Sequence, residues 1–507
     1  MSHPFSLRFG PSVSFLTAPR MGVYRLSIER IGNRDMMIDR EFEKRVPLYY
    51  RSLDFEALWR DYVPAPDYFD STYHCSRDEL HALQNRRFLQ QVNRGWETPF
   101  YRRHWAKAGI ERGDIRSLDD LRRLPTFSVH DMRESIARHP PWGDLIGLDP
   151  EHDDPLPLLF QTSGGTTGLP RVMMYAPRDR EVMNINTGRR MYMQGVRPFD
   201  LVQVALATGL PNAGFLMRES LWKYTGAVPI ISGTGGQTPT RRQVELMKGW
   251  GVHFFAALGS YLRHVALVSR DEMNFDVREL KLKGLLSWLG VDDRKSIEDL
   301  WGADVFDNYG TNELGTVCCD CKYKTGMHIF EDCFITEIGD PEAPDESPGS
   351  DKGALIVTAL FKHLAPMIRF NTNDILSFVS GDCPCGSTHR RLSKVFGRAD
   401  NMVKLRGVNI FPEAVGACVA EFRASDGEYV CVVDSQSPSG REEMTVMVEA
   451  ADASVSKPDL ARVLSARLYE ALGVTLKVEI VNKGELVHLT GIAEVMKVRR
   501  LIDRRKN

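Results

Sequence analysis

The chain has almost no charge of either sign to spare. Across 507 residues, 65 lysines and arginines face 67 acidic residues, leaving a formal net charge of −2. A nucleic-acid coat or a polybasic membrane binder needs an excess that is not here. Long apolar runs are also missing. Val252–Leu258 and Gly353–Leu360 are among the longest, far short of the roughly 18 residues of a membrane span. The first residues lack a signal peptide's order of basic, apolar and small regions: Arg8 and Arg20 bracket a mixed Phe/Ser stretch. A cytoplasmic protein is the expectation. There is no internal repeat and no long low-complexity tract. Hydrophobic residues at 43% and charged residues at 26% sit near globular averages, which excludes disorder, collagen and coiled coil for the whole. Nine cysteines are few and odd in number; a reducing compartment leaves such residues as thiols or metal ligands.

What is present reads as a layered α/β protein with a second, smaller unit. Residues 1–75 read as an extension of unknown role. Two alternating segments there, near Val23–Glu29 and Tyr49–Leu53, are strand candidates, and Pro64–Pro66 punctuates the end. From Arg77 the apolar residues Leu80, Leu83, Phe88, Leu89 and Val92 recur at helical spacing. Ser117 and Asp120 form a capping-box signature. Residues 76–397 then alternate strand-like Leu201–Ala207, Val228–Ser232, Phe254–Leu258 and Leu282–Leu286 with helix-like Arg241–Gly249 and Arg294–Trp301. Leu355–Leu360, Met367–Phe370 and Ile375–Val379 are further strands. Residues 398–507 read as a small α+β domain: strands Tyr429–Asp434, Thr445–Glu449 and Thr475–Val481 with a helix Pro458–Leu472.

Four motifs carry chemistry. Gln161-Thr-Ser-Gly-Gly-Thr-Thr-Gly-Leu-Pro-Arg171 packs three glycines and four hydroxyl residues into eleven positions. Backbone amides freed by glycine, with hydroxyls, suit a polyphosphate; a flexible polar loop has the same composition. No Gly-Lys-Ser/Thr follows, so this is not a Walker loop. Asp307-Asn-Tyr-Gly-Thr-Asn-Glu313 follows a short strand, where open α/β sheets bind ligands. Glu313 offers a hard oxygen for Mg²⁺, or is the solvated acid of an ordinary turn. In Arg369-Phe-Asn-Thr-Asn-Asp374 the last carboxylate can accept two ribose hydroxyls or turn the backbone. Gly397-Arg-Ala-Asp400, at the domain boundary, suits a hinge or a surface turn.

Together and in this order, the four motifs resemble the adenylate-forming superfamily of acyl-CoA synthetases, and within it the phenylacetate–CoA ligase family. Pro99-Phe-Tyr-Arg-Arg103, Ile115-Arg-Ser-Leu-Asp-Asp120, Met327-His-Ile-Phe-Glu-Asp332, Pro366-Met-Ile-Arg-Phe370 and Arg406-Gly-Val-Asn-Ile-Phe-Pro412 add to the likeness. It covers about residues 79–507. The resemblance implies a large ATP- and acyl-binding domain and a small mobile C-terminal domain. It implies an ATP-dependent ligase that makes an acyl-adenylate and passes the acyl group to coenzyme A. By matching motif, Ser163, Gly164, Gly165, Thr166 and Thr167 would hold the β/γ-phosphates and Glu313 would bind Mg²⁺. Asp374 would grip the ribose. Asp307 or Asn308 would lie at the adenine, with Tyr309 stacked on it. Arg398 and Asp400 would form the hinge. Lys497, in Met496-Lys-Val-Arg-Arg-Leu-Ile-Asp503, would be the adenylation lysine. Arg171 departs from the family's common Lys, and Ser287-Trp288 from its usual small Gly/Glu pair.

The acyl pocket is expected between Leu206–Phe215, Ser232–Gly236 and Trp288. Phe215 and Trp288 as apolar walls, and Asn212 as a polar handle, point to an aryl or arylalkyl acid. Cys321 with His328, and Cys383 with Cys385, form two ligand pairs that can close a tetrahedral structural zinc site; the alternative is reduced thiols and an ordinary histidine. Some members of the resembled family look similar there and bind zinc. Cys318, Cys319 and Cys333 are near enough in sequence to compete, while Cys75, Cys418 and Cys431 read as small hydrophobes. The expected partners are a small carboxylic acid and CoA, with no nucleic acid and no membrane, and with a homodimer left open. Two alternatives stand: an adenylating enzyme that acylates an amine or a carrier-protein thiol, and a non-catalytic nucleotide-binding protein.

Overall fold

The computed structural model describes residues 45–147, 155–162, 171–405, 408–434, 443–490 and 498–506. Ser163–Thr167, Lys497 and the strand candidate Val23–Glu29 lie outside the described residues. The chain divides into two compact units, residues 1–51 and 52–507. Of the first, the helix Leu48–Arg51 is described, so Tyr49–Arg51 is helical rather than extended.

The second unit is built on a five-stranded parallel sheet in the order Val228–Ile231, Leu201–Val204, Phe254–Leu258, Gly284–Trp288, Val305–Phe306. Val228–Ile231 lies on one side of Leu201–Val204, the first of these strands in sequence, and Phe254–Leu258 on the other, and such a switch point opens a crevice at the strands' carboxyl ends. Alternation along the strands sorts the core. Phe255, Ala257 and Leu285 pack on one face, Phe254, Ala256 and Leu286 on the other. Each such fully buried leucine or phenylalanine contributes about 2 kcal/mol. Helix Arg294–Trp301 begins at Asp293, whose carboxylate caps Ser296 N–H, and ends at Gly302 with φ 60°.

Two further sheets complete the large body. One joins Phe127–Ser128, Phe370–Leu376, Gly353–Ala359 and Phe334–Gly339, with Gly397–Arg398 on the edge of Phe370–Leu376. The other runs Phe378–Val379, Arg391–Leu392, Met327–Ile329, Gly315–Asp320, Asn308–Thr311. The expected strand Met367–Phe370 starts only at Phe370, because Arg369 has φ 54°, outside the extended region. The expected strand Ile375–Val379 is broken at Ser377: Ile375 pairs with Ala354, while Phe378 pairs with Leu392 in the other sheet.

Ser52–Cys75 is not an extension. Tyr62, Tyr68 and Tyr73 are buried in the main core, and Arg189 lies over the Tyr68 ring at 3.8 Å. Residues 403–503 hold a core of their own around the sheet Lys477–Val481, Glu443–Ala450, Ser425–Asp434, Leu501–Asp503. Tyr429, Cys431 and Val433 face one side of it, and Val430 and Val432 the other. Leu460, Leu464 and Leu468, spaced by four on helix Lys457–Leu472, cover the first side. Among the described residues, no helix is long and apolar enough to cross a membrane.

Candidate active site

The parallel sheet brings Trp288 and Asp307 to the carboxyl ends of adjacent strands. Asp307 is buried, and its Oδ1 accepts the backbone N–H groups of Leu289 (2.9 Å) and Asn308 (2.8 Å). Burial, with the charge of Asp320 nearby, pushes its carboxyl up to about 7. Asp320 accepts from the Asp307 N–H at 2.7 Å and from Arg294 at 2.5 Å. Leu289, Gly290, Arg294, Asp307, Asp320 and Lys324 are among the residues lining a cavity of about 310 Å³. Asn308 turns elsewhere: its Nδ2 donates to the Ser287 carbonyl at 2.5 Å, and its Oδ1 accepts from Arg190 at 3.1 Å.

Sheet register places the next group. Asp374 pairs across the ladder with Arg398, and Arg398 Nη1 donates to Asp374 Oδ1 at 2.9 Å. Tyr309 O–H donates to Asp374 Oδ2 at 2.7 Å. Burial and the charge of Asp374 hold the Tyr309 phenol well above its usual range, so it remains a donor. Arg398 also grips Asp400 through two hydrogen bonds of 2.8 Å. Burial works against the Arg398 charge, but Asp400 and Asp374 outweigh it and raise the group. Glu313 is buried and ion-paired to the Arg171 guanidinium. Burial first, then the charge of Arg133, draws Arg171 down to about 10, still cationic at neutral pH. Strands Leu159–Thr162 and Val172–Tyr175 pair as a hairpin whose connection is the glycine-rich segment. Its base is tied to the Glu313 turn: Asn312 Nδ2 donates to the Thr162 carbonyl at 3.2 Å, and Tyr175 O–H to the Asn312 carbonyl at 2.6 Å.

Folding also unites the two ligand pairs. His328 is opposite Arg391 in the antiparallel sheet, which brings the loop carrying Cys383 and Cys385 beside Cys321. The four ligand atoms lie within 4.8 Å of one another. Cys321 and Cys383 sulfurs are 3.6 Å apart, and Cys385 Sγ is 3.4 Å from His328 Nε2. The hydrogen bond shared with Cys321 pulls the Cys385 thiol down and pushes Cys321 up. Cys318, Cys319 and Cys333 are buried in the main core instead, and Cys418 and Cys431 in the C-terminal core. Cys75 is only half-buried, and all nine cysteines are free.

Residues 407–505 match the AMP-binding enzyme C-terminal domain family. The chain is 29% identical over 455 residues to a phenylacetate–coenzyme A ligase of Thermus thermophilus, spanning 85% of this chain and 98% of that one. It is 30% identical over 354 residues to a phenylacetate–coenzyme A ligase of Pseudomonas putida, spanning 67% of this chain and 75% of that one. The chain belongs to the phenylacetate–CoA ligase family. A solved 2-hydroxyisobutyryl-CoA ligase, in the postadenylation state with R3-HIB-AMP, superposes with a TM-score of 0.73 at 28% identity. That match covers 88% of this chain and 92% of the other. The protein is accordingly an AMP-forming CoA ligase.

The ligase's expected acyl walls are only partly aromatic. Asn212 is buried, its side-chain oxygen accepting from the Arg180 guanidinium, so it is already oriented from behind. Arg180 also pairs with Glu219 at 2.9 Å. Phe215 is half-buried on helix Ala213–Ser220. Trp288 is half-buried too, with the Arg190 guanidinium 4.5 Å from its ring centroid. Arg180 and Arg190 both project from helix Pro177–Met193, almost every residue of which is buried. The sequence reading missed this helix and both arginines. Pro177 at its first turn was the available signal.

Proposed function

We propose that this ligase activates an aryl or arylalkyl carboxylic acid and transfers it to coenzyme A. In the first step a carboxylate oxygen attacks the α-phosphorus of ATP; the bond to the β-phosphate breaks and pyrophosphate leaves. In the second the CoA sulfur, having lost its proton, attacks the acyl carbon and AMP leaves. The reading is carried by Asp374, whose two oxygens meet Tyr309 and Arg398 in a half-buried cluster. Ribose hydroxyls are the natural competitors for those two acceptor positions. Ser163–Thr167 would take the β/γ-phosphates. Asp307 and the adjoining cavity, or Asn308, would meet the adenine, with Tyr309 as its platform. Lys497 would supply the charge at the α-phosphate.

The donor sets fit the two implied metals. Glu313 is a single buried carboxylate beside a phosphate-binding segment, which suits Mg²⁺ shared with phosphate oxygens. Mg²⁺ there would neutralise phosphate charge, and Arg171, paired with Glu313, would offer a second cation to the same anion. Three thiols and an imidazole suit zinc in a closed, structural site.

Pyrophosphate release measured over benzoate, phenylacetate, 3-phenylpropionate and 2-hydroxyisobutyrate tests the acid class. The aryl acids should react, and product mass should show the CoA thioester rather than an amide or an acylated carrier. Release with 2-hydroxyisobutyrate alone would overturn the aryl reading.

We place the domain hinge at Arg398–Asp400, where the turn Ala399–Asn401 links strand Gly397–Arg398 to the C-terminal unit. Asp400→Pro fixes φ at that turn. It should slow thioester formation by about tenfold or more while leaving adenylate formation within about twofold. Single-turnover measurement of each half-reaction checks this, and an unchanged second step would put the hinge elsewhere.

A further inference from the structure

We infer that Arg190 is a positioning residue that sets acid specificity: its guanidinium, laid on the face of Trp288, fixes that ring as a wall of the acyl pocket. The inference rests on the reading that Trp288 lines that pocket.

Arg190 is fully buried. Its neighbour Arg189 is buried as well, but Arg189 meets the Asp332 carboxylate at 3.0 Å and so reads as a structural ion pair. Arg190 differs. Among the described residues its guanidinium meets neutral acceptors: Gln194 Oε1 at 3.1 Å, Asn308 Oδ1 at 3.1 Å and the Met217 sulfur at 3.8 Å. Its Nη2 has no partner there. No carboxylate hydrogen-bonds to it, and the charge of Asp307 reaches it only from beyond contact; burying such a cation is costly, and an apolar side chain of similar volume would fill the space without that cost. The face of Trp288, at 4.5 Å, is what the charge gains in return.

Each of the other contacts reaches an element next to Trp288 or one expected to line the site. Met217 lies on the helix that carries Phe215. Asn308 precedes Tyr309 and holds the Ser287 carbonyl, one residue before Trp288. Gln194 donates to the Asp307 carbonyl at 3.2 Å. Arg190 therefore ties Trp288 to the strand that meets the nucleotide and to the helix that meets the acid. Without the guanidinium the half-buried indole loses the contact that holds its ring plane.

The experiment measures KM and kcat for a graded series of aryl acids, and KM for ATP, in Arg190→Met, Arg190→Lys, Trp288→Ala and the double variant Arg190→Met with Trp288→Ala. Arg190→Met should raise KM for the preferred acid about tenfold, the worth of one desolvated cation–π contact. Its kcat should stay within about twofold, and its KM for ATP should rise by clearly less than KM for the acid, since Asn308 loses one hydrogen bond. Acid preference should shift in the same direction as in Trp288→Ala. Arg190→Lys should restore most of the loss, because an ammonium also engages a ring face. The double variant should be no worse than Trp288→Ala alone. Additive losses, or KM for acid and ATP rising equally, would overturn the inference. If Trp288→Ala leaves acid preference unchanged, the pocket reading itself has failed; if it shifts preference and Arg190→Met does not, only the role of Arg190 has. Should Arg190→Met not fold, Trp288→Phe and Trp288→Leu decide. The phenyl face should keep the native preference and leucine should lose it; equal behaviour of the two counts against the clamp.

Discussion

Lys497→Ala should slow acyl-adenylate formation by about 10²–10³-fold, the range seen when one preorganised charge or donor is removed from a transition state. Thioester formation from supplied acyl-adenylate should stay within a few-fold of the native rate. The asymmetry follows from where negative charge builds up. When the carboxylate meets the α-phosphate, two anions are forced together and pyrophosphate departs; a fixed ammonium between them lowers that barrier. In the second step the attacking group is a thiolate, the electrophile is an acyl carbon, and AMP leaves from the other side of the carbonyl. After Lys497, Arg499 N–H donates to the Thr490 carbonyl at 2.9 Å, and Leu501–Asp503 pairs in parallel with Ser425–Asp434. Alanine at 497 removes the charge. Pyrophosphate exchange reports the first step, and mass detection of the thioester from synthetic adenylate reports the second. Equal loss in both would take the lysine out of the adenylation role.

Where hydrophobic periodicity and burial agreed, the sequence was readable. Arg294–Trp301, Phe254–Leu258 and Lys457–Leu472 fall within a residue of their expected places because each buries one face, or one strand, in a dry core. Asp374, expected after a strand, lies inside strand Phe370–Leu376 opposite Arg398, a partner that only the folded ladder supplies. Helix Pro177–Met193 was not legible. A helix usually shows itself by an apolar stripe, and this one is buried on nearly all sides while carrying Asp179, Arg180, Glu181, Arg189 and Arg190 inward. Its charges read as solvent-facing until partners more than a hundred residues away, such as Asp332 for Arg189 and Asn308 for Arg190, are brought beside them. The same holds for Tyr62, Tyr68 and Tyr73. Tyrosines near prolines pass for surface residues, yet Tyr68 O–H reaches His389 at 3.4 Å and Tyr62 O–H reaches the Leu360 carbonyl at 3.3 Å. The left-handed φ at Arg369 was hidden for a different reason. The guanidinium that holds it in place spans Glu337 and Asp345, a constraint made by tertiary partners alone.

The metal prediction draws on both kinds of information. Protein purified without added metal should carry about one zinc per chain, held by Cys321, His328, Cys383 and Cys385. Sequence spacing named the four, and the fold supplies the distances. A tetrahedral zinc with Zn–S near 2.3 Å and Zn–N near 2.05 Å sets ligand atoms about 3.8 Å apart for two sulfurs and about 3.6 Å for sulfur and nitrogen. The Cys321–Cys383 separation is 3.6 Å and Cys385–His328 is 3.4 Å, close to those values, with all four ligand atoms within 4.8 Å of one another. Tyr73 O–H lies 3.4 Å from Cys385 Sγ, and Thr325 Oγ1 lies 3.4 Å from Cys383 Sγ; such outer contacts orient ligating groups. The site closes the Cys383–Cys385 loop onto the sheet that also carries Tyr309, and four protein ligands leave no open coordination position. Cys383→Ser or Cys385→Ser should therefore lower stability by about 4 kcal/mol or more, the range of a lost metal. Activity should fall only in step with folding. Thiolates are the ligands and each must shed its proton to bind, so affinity weakens as pH falls. Elemental analysis, with thermal unfolding before and after chelation, is the test. Protein that holds no zinc and melts at the same temperature with chelator would leave three reduced thiols and an ordinary buried histidine.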